Sequence, residues 1–348
     1  MAKSKTPELS IDERILIVTK LIEKEMPGVE VLRGSEVNVE IAATGVEPLD
    51  AVCKGFRRGG YSILWGPPGS GKSTLALIFI GEEQKRGKLC MLADIENRFD
   101  PVWAESNGVD IKNLLVLRKG SSLEDNLTAI EKFLRAGIIE TLVIDSLTAL
   151  VPEQELKSSN DKEKTIHDNN RGVQARKMSE WFRRTTPVIA QKDICVVLIG
   201  QGRTEGLNSG MARLGLSGGL AQKYYASTVL RMYTSNTGAP SKTIGDKKIY
   251  LGFIMHVILD KTSLTGHQGT EVQLPFVFGL GLDISRNDID QAVISGIIDG
   301  TSKGWFSWLR PDGEEIKIHG REKLYTFFKD EEQLAILKKQ QETTITVT

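Results

Sequence analysis

Between residues 61 and 200 the chain alternates short apolar runs with stretches of helical period. Tyr61–Trp65, Lys88–Asp94, Asn113–Arg118, Thr141–Asp145 and Ile194–Gln201 read as strands, with predicted helices at 74–86, 101–107, 122–136 and 171–186 between them. Strands that are apolar at nearly every position must be covered on both faces. In alternation with helices, they imply a mainly parallel sheet between helical layers, an α/β fold. Ile249–Lys261 and Glu271–Phe278 read as further strands extending that sheet. Ahead of it, Leu9, Ile11, Ile15, Leu16, Val18, Leu21 and Ile22 recur at helical spacing until Pro27-Gly28. A lone amphipathic helix must bury its stripe on its own core or on a neighbouring subunit. Beyond the sheet the pattern predicts a small α+β domain. It comprises a helix at 287–298, an aromatic hairpin over Trp305–Ile318 turning at Pro311-Asp312-Gly313, and a helix at 320–340. The expected organisation is an N-terminal helical segment (1–40), a core (41–283) and a small C-terminal domain (284–348).

Two stretches interrupt the alternation. Pro152–Asn170 is polar and mixed in charge, and Gly202–Gly219 holds six glycines in eighteen residues together with Arg203 and Arg213. Both follow predicted strand ends, where α/β proteins place ligand loops. Long irregular loops inside a compact domain usually carry function.

Composition narrows the class without deciding it. The 348 residues hold 45 Lys+Arg and 45 Asp+Glu, so overall charge gives no sign of a nucleic-acid partner, and any such claim rests on local patches. No apolar run approaches the roughly 18 residues of a membrane span, and the charged start of the chain lacks a signal-peptide core. Cys53, Cys90 and Cys195 lie far apart in or beside apolar stretches, which predicts buried thiols in a reducing compartment, the cytoplasm.

The chemistry begins at Gly66-Pro67-Pro68-Gly69-Ser70-Gly71-Lys72-Ser73, which fits the phosphate-loop pattern G-x-x-x-x-G-K-[ST] and lies between a predicted strand and a predicted helix. That context turns backbone N–H groups and a helix N-terminus toward phosphates. Lys72 would reach the β/γ-phosphates, and the Ser73 hydroxyl would ligate Mg²⁺. Thr141–Asp145 is an apolar strand ending in acid, the arrangement that holds a Mg²⁺ hydration shell, so Asp145 joins Ser73 as a metal candidate. Leu92-Ala93-Asp94-Ile95-Glu96 brings two more carboxylates to the same sheet edge. Glu96 is the candidate to polarise an attacking water, with Asp94 next in line.

The chain resembles the RecA family of DNA strand-exchange ATPases over roughly residues 22–280. The likeness is carried by Ala43-Thr44-Gly45 through Leu49-Asp50, the phosphate loop, and the run from Ala93-Asp94-Ile95-Glu96 to Phe99-Asp100-Pro101. It continues through Asn107–Leu115, Val143–Leu150, Ile199-Gly200-Gln201 and Ser217–Ser227. The resemblance implies a RecA-type ATPase core that binds single-stranded DNA as a homo-oligomeric helical filament and exchanges strands with double-stranded DNA, using ATP and Mg²⁺. It implies Glu96 as the catalytic glutamate and Gln201 as the γ-phosphate sensor. It also puts Thr74, Asp100 and Trp103 at the nucleotide, with the Trp103 ring against adenine. Pro152–Asn170 and Gly202–Gly219 match the family's two DNA-binding loops, and Arg176 and Arg203 match DNA-contacting positions; Arg213 in the second loop could also neutralise phosphates, and Gly218 and Gly219 fit a helix N-terminus that could receive a backbone phosphate. Lys261 matches a lysine that reaches the neighbouring subunit's ATP. Its companion position is Leu259, the first loop is long, and no long acidic tail follows Thr348. These departures resemble a bacteriophage member. RecA-fold ring helicases share the same nucleotide motifs, and an ATP-gated scaffold without turnover would share the phosphate loop.

Overall fold

The computed structural model describes residues 9–26, 29, 31–118, 120, 122–146, 151–153, 172–205, 213–216, 220–244, 247–264, 266–301 and 303–345. The chain divides into two compact units, Met1–Glu40 and Ile41–Thr348. In the first, helix α1 (Ile11–Glu25) starts at a capping box. Ser10 Oγ accepts from the Glu13 N–H at 3.2 Å and Glu13 Oε2 accepts from the Ser10 N–H at 2.8 Å, so two otherwise unpaired donors are satisfied reciprocally. No residue of α1 is buried; Ile11, Leu16 and Leu21 face solvent.

The second unit runs β1 (Ile41–Ala42), α2 (Glu47–Cys53), β2 (Phe56–Arg57), β3 (Gly60–Gly66), α3 (Lys72–Lys85), β4 (Cys90–Asp94) and α4 (Pro101–Ser106). There follow β5 (Leu114–Leu117), α5 (Leu123–Ala136), β6 (Thr141–Asp145), α6 (Val173–Gln191), β7 (Cys195–Glu205), β8 (Arg213–Leu216), α7 (Leu220–Tyr225) and β9 (Ala226–Ser235). A hairpin of β10 (Ser241–Ile244) and β11 (Lys247–Tyr250) leads to β12 (Gly252–Thr262), β13 (Glu271–Val277) and β14 (Gly281–Leu282). The last segment holds α8 (Ile284–Ile294), β15 (Ile298–Gly300), β16 (Trp305–Leu309), β17 (Glu315–His319), α9 (Arg321–Phe327) and α10 (Glu331–Ile345).

The main sheet has the order β14-β13-β12-β9-β3-β7-β6-β4-β5, with β8 paired to the end of β7. The six strands from β9 to β5 are parallel, and β12, β13 and β14 join antiparallel. Alternation of side chains explains the unbroken apolar runs. In β3, Leu64 packs with Phe56, Leu75 and Phe79 on one face, while Tyr61, Ile63 and Trp65 pack with Ile130, Trp181 and Phe182 on the other. Each large side chain fully buried this way contributes about 1.5–3 kcal/mol. The Tyr61 hydroxyl keeps a partner inside, Thr185 Oγ1 at 2.6 Å. The C-terminal segment gathers Ile289, Trp308, Leu324, Phe328 and Leu337 into a separate cluster. Among the described residues no helix is long and apolar enough to cross a membrane.

Several expectations are corrected. β9 was not anticipated, although its Val229, Leu230 and Met232 lie in the core beside β3. The strand expected over 249–261 is β12, with 247–250 belonging to the exposed hairpin. The helix expected over 320–340 is two helices. Asp330 starts the second, its Oδ1 accepting from the Glu332 N–H at 3.0 Å. The helix expected over 287–298 stops at Ile294, ahead of Gly296 at φ +77°. The glycine-rich stretch is not wholly a loop: β7 runs on to Glu205, and β8 returns antiparallel with Gly202 opposite Leu216 and Glu205 opposite Arg213. Most of the first loop, residues 154–170, lies outside the described residues.

Candidate nucleotide site

Parallel register brings the chemical groups together. Gly66 at the end of β3 lies opposite Gln201 in β7; Asp145 in β6 lies opposite Ile199 in β7 and Asp94 in β4. Four neighbouring strands therefore deliver their carboxyl ends, and the loops after them, to one edge.

Two glycines make the phosphate loop possible. A Cβ on Gly66 would sit 1.9 Å from the Met232 carbonyl oxygen, so no side chain fits. Gly71 is the N-cap of α3 at φ +84°, and no side chain caps the helix, which leaves its first N–H groups to an anion. Around it, Pro68 and Gly69 are exposed, Pro67 is half-buried, and Ser70 and Thr74 are buried. Lys72 is only 8% exposed. Its ammonium folds back on Pro67 O (2.7 Å), Gly66 O (3.1 Å) and Ser70 Oγ (3.2 Å), all uncharged oxygens. Burial lowers its pKa, against the pull of Asp145 and Glu96. A buried cation hydrogen-bonded only to neutral oxygens fits a site that receives polyphosphate.

Ser73 Oγ donates to Asp145 Oδ2 at 2.6 Å. Burial pushes the Asp145 carboxyl up; the Ser73 bond and Lys72 oppose this, while Glu96 and Asp94 add to it. A hydroxyl and a carboxylate together at a helix start are hard oxygen donors that suit Mg²⁺, with phosphate and water as its remaining ligands. The Asp145–Ser146 peptide is cis.

Glu96 follows β4 in a turn pinned by main-chain bonds from Ile95 N (2.8 Å) and Glu96 N (3.4 Å) to Asp145 O. Its Oε1 accepts from Gln201 Nε2 at 2.7 Å, and its Oε2 faces Arg98 at 3.0 Å. Asp94 does a different job from the one held open for it. It is buried, it accepts from the Arg98 and Phe99 N–H groups (2.9 and 3.1 Å), and it pairs with Arg118 at 3.1 Å, so it organises the turn. Asp100 Oδ1 caps α4 through the Val102 and Trp103 N–H groups at 2.9 and 3.3 Å. The Trp103 ring lies 6.3 Å from Phe276, and a cavity of ≈ 120 Å³ has Ser73, Glu96, Arg98, Trp103 and Asp145 on its wall.

The remaining candidates lie elsewhere. Lys261 donates to Lys223 O (2.8 Å) and Tyr224 O (3.2 Å) at the carboxyl end of α7, and burial lowers its pKa. Leu259, two residues before it, is core. Arg176 is exposed in the first turn of α6. Arg203 lies in β7 opposite Gly215, and Arg213 opens β8. Gly218 and Gly219 lie outside the described residues. Arg98 and Arg118 were not foreseen. Arg118 meets Asp94 because β5 lies beside β4, an adjacency that strand order fixes and spacing does not.

A glycine-rich strand-to-helix loop, a buried lysine within it, and a serine–aspartate pair at the helix start define a phosphate-loop nucleotide-binding protein. The model of the RecA N-terminal domain matches residues 14–279. Protein RecA of Thermus aquaticus is 32% identical over 321 residues, covering 90% of this chain and 89% of the relative. Protein RecA of Rhizobium leguminosarum bv. trifolii is 32% identical over 302 residues, covering 86% and 78%. The chain belongs to the RecA family.

Proposed function

We propose that this chain is an ATP-dependent recombinase that assembles as a helical filament on single-stranded DNA, pairs it with homologous double-stranded DNA and exchanges strands. The observation that carries this reading is the Gln201–Glu96 bond at 2.7 Å. Gln201 lies in β7, two residues before Arg203, so one residue touches the candidate base and belongs to the strand leading into the candidate DNA loop. Lys72 and the open N–H groups of α3 would bind the phosphates of ATP, and Trp103 would lie at its base. Ser73 and Asp145 would hold Mg²⁺, which supplies charge neutralisation at the phosphates. Glu96 would orient the attacking water and take its proton. Gln201, drawn toward the γ-phosphate, would loosen from Glu96 and shift β7.

Arg176, Arg203 and Arg213 would neutralise DNA phosphates, contacts without sequence preference, as a search for homology requires. Gly218 and Gly219 would let the backbone approach the strand. Lys261 is assigned to the ATP of the adjacent subunit, and the exposed apolar stripe of α1 to docking on that subunit. ATP then favours the DNA-competent assembly by differential affinity, and hydrolysis releases it. The working compartment is the cytoplasm, and Leu259 in place of a second lysine supports a bacteriophage setting. Electron microscopy with ATP, Mg²⁺ and circular single-stranded DNA tests the proposal. Filaments following the DNA contour are expected, whereas closed rings of fixed size would replace recombinase with a ring motor.

A further inference from the structure

Glu96 is bracketed on both sides. Gln201 Nε2 holds Oε1 at 2.7 Å, and the Arg98 guanidinium holds Oε2 at 3.0 Å. A carboxylate that is to take a proton from water is best left free of competing cations, and here each oxygen already accepts from one donor, one of them a guanidinium, which leaves a single lone-pair site on each. The two partners differ in setting. Gln201 belongs to a central strand. The backbone around Arg98 is equally fixed: its N–H and that of Phe99 go to Asp94, which Arg118 holds from the next strand. The Arg98 side chain, however, is 80% exposed, against 11% for Glu96. A turn held by backbone hydrogen bonds therefore carries one solvent-exposed cation, on the wall of the cavity shared by Ser73, Glu96 and Asp145.

We propose that Arg98 is a positioning residue that latches Glu96 in the nucleotide-free protein and is only partly drawn off by a bound polyphosphate, so that a fraction of the nucleotide-bound protein stays latched until DNA is present. The inference rests on the reading of Glu96 as the base that activates water. An ion pair whose cation is 80% exposed is screened by solvent, so the latch is readily displaced, and a planar guanidinium can exchange one carboxylate for a more highly charged phosphate. The device lowers turnover in the absence of DNA without weakening the site. It also ties release of Glu96 to nucleotide on one side and, through Gln201, to β7 on the other.

The test compares Arg98→Ala, Arg98→Lys, Glu96→Gln and the unaltered full chain at saturating Mg²⁺–ATP without DNA. The surface-pair range predicts that Arg98→Ala raises turnover between about 1.4- and fivefold, with nucleotide affinity unchanged within about twofold. Arg98→Lys, which keeps a cation, should fall back toward the unaltered rate. Raising salt from about 0.05 to 0.5 M should speed the unaltered protein and Arg98→Lys but not Arg98→Ala, because only the first two have a latch to screen; a purely structural arginine would show no such difference. Unchanged or reduced turnover in Arg98→Ala, beside a slow Glu96→Gln, overturns the latch and leaves the base assignment standing. A Glu96→Gln variant as fast as the unaltered chain overturns the base assignment itself.

Discussion

Replacing Glu96 by Gln removes one proton acceptor and little else. The new side chain keeps an oxygen to accept from Gln201 Nε2, the 2.7 Å bond that positions it. Its amide instead meets Arg98, which has no acceptor to offer, and the guanidinium turns to solvent, where it is already 80% exposed. Losing so exposed a pair costs about 0–1 kcal/mol, and the turn remains held by the bonds to Asp94 and to the Asp145 carbonyl. The chemical step loses its general base, on the order of a hundredfold or more, which is about 2.7 kcal/mol in barrier height. Single-turnover hydrolysis of radiolabelled ATP and titration with a fluorescent nucleotide separate the two effects. Affinity should hold while the hydrolysis rate falls by that factor, and filaments should persist on DNA. Normal binding with a rate within about tenfold of the unaltered chain would remove Glu96 as the general base.

Lys72→Ala should weaken nucleotide binding by about ten- to a hundredfold, the scale of a hydrogen bond to a charged group, with circular dichroism unchanged; calorimetry showing retained affinity would remove the phosphate-loop assignment. Burial raises the Asp145 carboxyl above its ordinary 3.8, so the folded chain takes up this proton more readily than the unfolded one. The native state therefore gains stability as pH falls through the raised value, while Mg²⁺ affinity, which needs the carboxylate, is lost through the same window. Mg²⁺–nucleotide titrations between about pH 4 and 7 should show this acid limb, and Asp145→Asn should lack it. Arg203→Ala should weaken single-stranded DNA binding across all sequences and flatten its salt dependence by about one unit of slope. An unchanged slope and affinity in salt titrations would move the DNA site elsewhere, first to Pro152–Asn170.

The fold class was legible because the parallel strands are apolar on both faces. β3, β4, β6 and the start of β7 lie within two residues of where their periodicity put them. β9 escaped because Ser227, Thr228, Arg231 and Thr234 interrupt its apolar residues, and it reads as central only beside β3. The break between α9 and α10 escaped because the cap at Asp330 carries no glycine or proline. The same division holds at the site. Spacing singled out Lys72, Ser73 and Asp145 as candidates, because a motif fixes the loop and the strand after it, and the fold brings Ser73 and Asp145 together. Spacing ranked Glu96 ahead of Asp94 but could not show what Asp94 does, since only the partners of the two carboxylates separate them. Arg98 carried no signal in the sequence: an arginine in a turn is ordinary until the carboxylate facing it is known.

On the proposed function, ATP turnover at this site is coupled to single-stranded DNA. The most direct measurement is the steady-state ATPase rate of the full chain at saturating Mg²⁺–ATP, with and without circular single-stranded DNA, and with Glu96→Gln as the zero. A low rate alone, a several-fold or greater increase with DNA, and loss of both rates in the variant are expected. A rate that DNA leaves unchanged, in protein that demonstrably binds that DNA, would contradict that coupling.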